Sequence, residues 1–358
     1  MSKLVKKYLQ SVYRSKDKDF DRDNYLTLDR NENTDEIDKD ILNIIKKINF
    51  SKKIRLYPSL HDSYKLIAKE FNIKRKNILL THGSDLAIKT IYETYLETGQ
   101  SVILQKPSYA MTNIYAKLFR AKIKYFGIKK DLNIDFSHLI KTLKSNKIKM
   151  IFIETPNGFT GQEVDKDQII KILNYTKKKN ILLILDEAYF GFAKNSYQAL
   201  INKYKNLILT RTLSKAYGLA GLRVGFLIAS SERILELNKF KPLHEISNIS
   251  AEIAKISILK NKKKNFYEKN KKLMEYVKTI SSNFGFEIKE TSTNFFLLKY
   301  NKSKQNKLIN ELKRKRILIR RAYKLKILGD YIRVGISNKK NVDFLFKNIK
   351  KINSTLKI

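Results

Sequence analysis

The segment Thr210-Arg-Thr-Leu-Ser-Lys-Ala-Tyr-Gly-Leu-Ala-Gly-Leu-Arg-Val-Gly225 sets one lysine, Lys215, among small residues. Hydroxyls at Thr212 and Ser214 precede it and Arg223 follows it. In a chain with 74 Lys and Arg, an isolated lysine is ordinarily a solvated surface residue. The company of Lys215 argues otherwise: two hydroxyls and an arginine can hold a phosphate dianion while a lysine amine forms an imine with an aldehyde. Pyridoxal phosphate carries both groups on one molecule. A second segment, Asp186-Glu-Ala-Tyr189, ends the all-apolar run Ile181-Leu-Leu-Ile-Leu185. A carboxylate at a strand end can cap a helix or ligate a metal. Beside the lysine segment, Asp186 reads instead as the group that keeps the cofactor's pyridine nitrogen protonated, so that the ring accepts electrons from a carbanion. Tyr189 would donate to the ring's phenolic oxygen.

A third segment, Thr81-His-Gly-Ser-Asp85, follows Ile78-Leu-Leu80 and opens a helical stretch through Leu96. Gly83 permits close backbone approach, and Ser84 with the free N–H groups of the helix start can bind a phosphate; Asp85 lies on the same turn. Taken alone, the segment is also an ordinary Ser or Asp cap. Pro107-Ser-Tyr109 lies just past the run Ser101 to Gln105, where the Tyr109 ring could stack on a cofactor.

These residues need a scaffold, and the sequence supplies one. Short apolar runs at Ser101–Gln105, Met150–Glu154, Ile181–Asp186, Asn206–Thr210 and Gly225–Ala229 alternate with amphipathic segments. That pattern predicts an α/β domain with a mainly parallel sheet, which binds ligands beyond the carboxyl ends of its strands. The first 50 residues suggest a helix, an extended piece at Tyr25–Leu28 and a helix around Ile37–Ile48. From about residue 240 the spacing predicts a long helical region, a strand at Phe295–Lys299, a helix near Lys304–Arg316, strands at Ile317–Arg320 and Tyr331–Ile336, and a last helix. The expected division is an N-terminal part (1–50) of a smaller α+β domain, a large cofactor domain (51–240) and the C-terminal part (241–358) of the smaller one.

Composition bounds the remaining possibilities. The 358 residues carry a formal charge of +40, no Cys and four His. The absence of Cys removes disulfides, thiolate zinc sites and cysteine nucleophiles. A pI near 10.0 invites a nucleic-acid partner. The basic residues are spread along the chain, however, with short runs only at Lys177–Lys179 and Lys262–Lys264, and such runs are usually solvated helix faces. Nucleic acid therefore remains a minor alternative. No stretch approaches about 18 consecutive apolar residues, so no membrane span is expected. The N-terminal residues show neither a signal-peptide apolar core nor a cleavage site, and the expected location is the cytoplasm.

In order along the chain, Arg30-Asn-Glu-Asn33, Arg55-Leu-Tyr-Pro58, His82-Gly-Ser-Asp85, Pro107-Ser-Tyr109, Pro156-Asn-Gly-Phe-Thr-Gly161, Asp186-Glu-Ala-Tyr189, the Lys215 segment, Thr293-Asn-Phe295 and Tyr331-Ile-Arg-Val-Gly335 together resemble the class I/II aminotransferases of pyridoxal-phosphate fold type I. The nearest branch is the histidinol-phosphate aminotransferase one. The resemblance implies that Lys215 is the imine lysine and proton shuttle, that Arg223, Ser214, Thr212 and Ser84 hold the cofactor phosphate, and that Tyr109 stacks on its ring. It makes Arg333 the clamp for a substrate α-carboxylate, a task suited to a planar arginine fork. Arg320 or Arg321 and Arg30 become candidate ligands for a distal phosphate. Tyr57 would reach the phosphate of a neighbouring subunit, which implies a homodimer. The family usually reads Asn-Asn-Pro-Thr-Gly where this chain has Asn157-Gly-Phe-Thr-Gly161, so the Asn that normally bonds the ring oxygen falls on Gly158 and the usual cis-proline on Phe159. Either Asn157 takes over that contact or Tyr189 makes it alone. The implied activity is transfer of an amino group from an amino acid such as L-glutamate to a small phosphorylated oxo compound such as imidazole acetol phosphate. The alternatives are decarboxylation of an O-phospho amino acid, which would use almost the same residues, and nucleic-acid binding on a degenerate enzyme scaffold.

Overall fold

The computed structural model describes the chain apart from residues 1–5, 7, 10–11, 13–20, 145–146, 262–263, 324 and 356–358. The helix expected at the very N-terminus lies largely outside the described residues. The described elements begin with β1 (Leu26–Thr27), α1 (Lys39–Lys46), α2 (Phe50–Arg55) and α3 (His61–Glu70). A seven-stranded sheet follows, built from β2 (Ile78–His82), β3 (Ser101–Gln105), β4 (Lys122–Phe126), β5 (Ile148–Glu154), β6 (Leu182–Asp186), β7 (Leu207–Thr212) and β8 (Val224–Ala229). Its spatial order is β2-β8-β7-β6-β5-β3-β4. Only β8 runs against the others, antiparallel to both β2 and β7.

The all-apolar sequence of β6 is explained by helices on both faces. Ile184 packs with Ile88, Ile91 and Tyr92 of α4 (Gly83–Tyr95), with α5 (Ala110–Leu118) and with α8 (Ser231–Asn238). Leu183 and Leu185 face the opposite layer, made by α3, α6 (Phe136–Lys144), α7 (Lys166–Lys178) and α9 (Asn248–Asn261). Each such side chain contributes roughly 1.5–3 kcal/mol on burial, which leaves no room for a polar alternate position.

The long helical region expected after residue 240 is divided. Side chains of α9 join the large sheet's core, and α10 (Phe266–Asn283) starts afresh where the Asn265 side chain accepts from Glu268 N–H. A four-stranded antiparallel sheet, β12-β13-β10-β9, uses β9 (Ile288–Lys289), β10 (Phe295–Lys299), β12 (Arg320–Arg321) and β13 (Tyr331–Gly335), with α10, α11 (Gln305–Arg314) and α12 (Lys339–Thr355) supplying its apolar cover. The single strand predicted at Ile317–Arg320 is two elements. Ile317 and Leu318 form β11, buried and paired in parallel with β1, whereas Arg320 and Arg321 are exposed and pair with β13. The chain changes partner where its side chains change from apolar to charged. The β1–β11 pair attaches the N-terminal segment to the C-terminal sheet.

The carboxyl ends of β5, β6 and β7 and the β2–α4 junction converge on one edge of the large sheet. That convergence depends on Gly225. A Cβ there would lie 2.6 Å from the Gly83 carbonyl carbon, 2.8 Å from Ser84 N and 2.9 Å from Arg211 O, all backbone atoms that cannot move aside. Gly225→Ala is expected to destabilise the protein by about 1–3 kcal/mol and to lower the urea midpoint; an unchanged midpoint would contradict the close approach.

Candidate active site

The β2–α4 junction is built to receive an anion. Helix α4 begins at Gly83 after His82, which makes no side-chain capping bond, so the helix start keeps its N–H groups and positive dipole end uncapped by that residue. Arg223 stands directly against it: a Cβ on Gly83, whose φ is +71°, would lie 2.7 Å from an Arg223 guanidinium nitrogen. Arg223 itself is held in the left-handed region at φ 55°, an uncommon conformation for a side-chain-bearing residue that carries a local cost. Nearby, the hydroxyls of Thr212 and Ser214 are buried and bond each other at 2.8 Å. A helix N-terminus, a guanidinium and two hydroxyls brought together repel or leave polar atoms under-used unless a negatively charged group joins them.

Lys215 lies on the turn after β7. Its Nζ donates to the carbonyl oxygens of Arg30 at 3.1 Å and Asn31 at 3.0 Å. Burial, aided by the nearby Arg333 charge, pushes its pKa down to about 8. Asp186 ends β6, is buried, and accepts from the Thr210 hydroxyl at 2.8 Å and from Ala188 N–H at 3.0 Å. Burial raises its pKa to about 6 against the pull of those two bonds. Tyr189 is buried one turn further, and its hydroxyl accepts from the Asn31 amide at 2.7 Å. Burial pushes the phenol up to about 12, so it stays a neutral hydroxyl.

On the far side, Arg333 of β13 is buried between the rings of Phe159 and Phe295, its guanidinium carbon 5.4 Å and 5.5 Å from their centroids. It donates to the carbonyls of Gly158 at 2.7 Å and Asp29 at 3.1 Å, and its Nε is buried without a partner. Burial lowers its pKa to about 10. Arg320 is its register partner on β12. The amide of Asn157 is engaged in shaping its own loop: Oδ1 accepts from Phe159 N–H at 2.9 Å and Thr160 N–H at 3.0 Å, and Nδ2 donates to Pro107 O at 3.0 Å. Asn157 is thus committed to its own loop, while the Tyr189 hydroxyl, which accepts from Asn31, keeps its own proton to donate.

Most of the residues singled out from sequence therefore face one region, with exceptions. Arg30 is an exposed residue that meets Lys215 through its carbonyl oxygen. Tyr57 is 82% exposed and stacks on His244 at 4.7 Å, apart from the Lys215 group. Two residues escaped the sequence reading. Asn31, at φ 56°, supplies a carbonyl to Lys215 and an amide to Tyr189, and receives Asn294 Nδ2 at 3.0 Å. Glu154, at the end of β5, accepts from the N–H groups of Tyr109 and Gly158. The Asn-Glu-Asn and Thr-Asn-Phe segments carried a signal for the first; the second had none beyond its place at a strand end.

The donor set fits pyridoxal phosphate: an anion cradle, an amine of lowered pKa, a carboxylate and a neutral phenol on one sheet edge. The fold and these residues define a pyridoxal-phosphate enzyme of fold type I. The family model for aminotransferases of class I and II matches residues 23–349, and the chain belongs to that family of transaminases. The histidinol-phosphate aminotransferase of Thermoanaerobacter pseudethanolicus is 30% identical over 331 residues, covering 91% of this chain and 92% of that protein. Among solved structures, the histidinol-phosphate aminotransferase of Sinorhizobium meliloti in complex with pyridoxal-5'-phosphate has a TM-score of 0.88 at 19% identity and covers 99% of both chains. The L-threonine-O-3-phosphate decarboxylase of Porphyromonas gingivalis has a TM-score of 0.76 at 21% identity, covering 92% of this chain and 99% of that one.

Because only the neutral amine of Lys215 attacks an aldehyde, covalent capture of pyridoxal phosphate by the apoprotein is expected to accelerate with pH and level off above about 8, below the range of a free lysine. Stopped-flow absorbance measures this; a rate still climbing at pH 10 contradicts it.

Proposed function

We propose that the enzyme moves an amino group between L-glutamate, or a similar donor, and a small phosphorylated oxo compound; a relative 30% identical to it is named a histidinol-phosphate aminotransferase. The observation that carries this reading is the arginine pair on β12 and β13. Arg333 and Arg320 stand in register, one buried with an unpartnered Nε and one exposed, a combination that suits a carboxylate or phosphate arriving from solvent.

When bound, pyridoxal phosphate supplies an electron sink for negative charge at the substrate α-carbon. The chain's own residues do the rest. Arg223, Ser84, Ser214 and Thr212 would hold the phosphate at the start of α4, where Gly83 leaves room for the arginine and Asp85 lies in the first turn. Asp186, ionised above about pH 6, fixes a proton on the pyridine nitrogen. Tyr189 would donate its hydroxyl to the ring oxygen and Tyr109 would stack on the ring, while Asn157 holds its own loop in shape. Lys215 moves the proton at the α-carbon, and Arg333 orients the substrate so that the C–H bond faces it. Arg320, with Arg30 at the rim, receives the distal phosphate.

We further propose a cytoplasmic homodimer. Exposed Ile54, Leu56, Tyr57 and Leu243 offer an apolar surface, and Tyr57 on it is available to a partner's cofactor phosphate.

A second reading, decarboxylation of an O-phospho amino acid, draws support from Phe159 against Arg333, a contact that could turn a carboxylate out of the plane needed for proton transfer. A single turnover with L-glutamate separates the two. The aminotransferase is expected to convert its bound cofactor to pyridoxamine phosphate, followed by absorbance, and a phosphorylated oxo acceptor is expected to reverse it. Release of carbon dioxide from an O-phospho amino acid, with no conversion by any amino donor, would establish the second reading instead.

A further inference from the structure

We propose that Glu154 is a positioning residue that joins the cofactor side of the site to its substrate side through a single carboxyl group. The inference rests on the pyridoxal-phosphate reading above and deepens it. Glu154 is buried at the end of β5, in register with Asp186 on β6. Its Oε1 accepts the N–H of Tyr109, whose phenol feels the charges of Asp85, Arg223 and Asp186. Its Oε2 accepts the N–H of Gly158 at 3.0 Å and the Asn157 amide at 3.3 Å. The carbonyl of the same Gly158 accepts Arg333 Nη1 at 2.7 Å. One side chain thus fixes the backbone that carries the stacking ring and the backbone that aims the substrate arginine.

The residue type follows from the donors. Three N–H groups converge on two oxygens, and only a group that can accept at both oxygens satisfies them all. An amide would turn a donor toward a donor, and an apolar side chain would leave buried N–H groups without partners. The arrangement has an electrostatic cost, because burial and the neighbouring Asp186 push Glu154 up to about 8 while the Tyr109 and Gly158 N–H groups resist.

Wild type, Glu154→Gln and Glu154→Asp are compared. Loading wild type with pyridoxal phosphate and recording its visible absorbance tests the underlying reading by itself; a wild type that takes up no cofactor overturns that reading and the proposal with it. In the loaded enzyme at about pH 9, above the Glu154 pKa of about 8 so that both its oxygens accept, Glu154→Gln is expected to raise KM for the amino donor about tenfold, the equivalent of one ordinary hydrogen bond, with kcat changed much less. Adding Arg333→Lys to it is expected to raise KM little further, whereas adding Arg223→Lys multiplies the two separate effects. Glu154→Asp keeps both acceptor oxygens on a shorter arm and is expected to recover part of the loss; it carries the same cycle if the Gln variant does not fold. A readout independent of activity is the pH dependence of apoprotein stability. An acid whose folded pKa is raised contributes stability that is present below the unfolded value, 4.5, and lost as pH rises through about 8. Wild-type stability is therefore expected to fall more steeply between pH 5 and 8 than that of Glu154→Gln. An unchanged KM, effects of Glu154→Gln and Arg333→Lys that simply multiply, or equal pH slopes in the two apoproteins would each overturn the proposal.

Discussion

Two buried carboxyl groups side by side, Glu154 on β5 and Asp186 on β6, set the terms for the rest of the site. Inside the protein both lose hydration, which raises both pKa values, and the charge of Asp186 raises that of Glu154 further. The surroundings make this tolerable. Asp186 has Thr210 and the Ala188 N–H, and Glu154 has N–H groups from two loops. The alternation of the chain disposes of a third carboxylate: Glu187 turns to the other side of the sheet, where Arg211 Nε donates to it at 2.8 Å and Tyr197 N–H at 2.8 Å. That buried ion pair braces the end of β6, and the charge of Glu187 still reaches Asp186 and helps raise its pKa.

The cations are treated in the opposite way. Lys215 donates to the carbonyls of Arg30 and Asn31, Arg333 to those of Gly158 and Asp29, and Arg223 to that of Ala220. A backbone carbonyl orients a cation without cancelling its charge. Had carboxylates filled these places, each pair would be neutral and an arriving phosphate or carboxylate would have to displace a partner. The N-terminal segment that supplies Asp29, Arg30 and Asn31 is anchored by β1 against β11, so attachment of the chain's start to its C-terminal sheet helps preserve the site's positive charge.

This division explains what the sequence disclosed. Lys215, Asp186, Tyr189, Thr212, Ser214 and Arg223 were legible because their work depends on side-chain chemistry and on a place just past an apolar run. The alternation of such runs with amphipathic segments gave the parallel sheet for the same reason. Asn31 and Glu154 were not legible in this way. Asn31 acts through a carbonyl and a left-handed backbone as much as through its amide, and Glu154 is defined by three N–H groups that come together only in the fold. The split of Ile317–Arg321 into β11 and β12 was hidden too, because five consecutive residues of this kind look alike until their partners are known. Edge strand β4, Lys122–Phe126, alternates polar and apolar residues and has only one covered neighbour, so it lacks the continuous run that marks β6.

The net charge of +40 acquires a different weight in this setting. Lys177 and Lys178 close the last turn of α7, where a cation complements the helix dipole, and both are exposed. Charges of that kind are screened within about 8 Å at physiological salt. Arg333 is different because two aromatic rings and a buried floor keep water away from it, and the lowered pKa that records this also means that an anion bound there is felt in a low-dielectric medium. Arg320, one strand away and exposed, is available to catch an incoming anion without the same desolvation. On the proposed reading, a ligand with one charge would satisfy Arg333 and a dianion would use both arginines, so the pair would favour substrates whose charge is doubled or carried at two points.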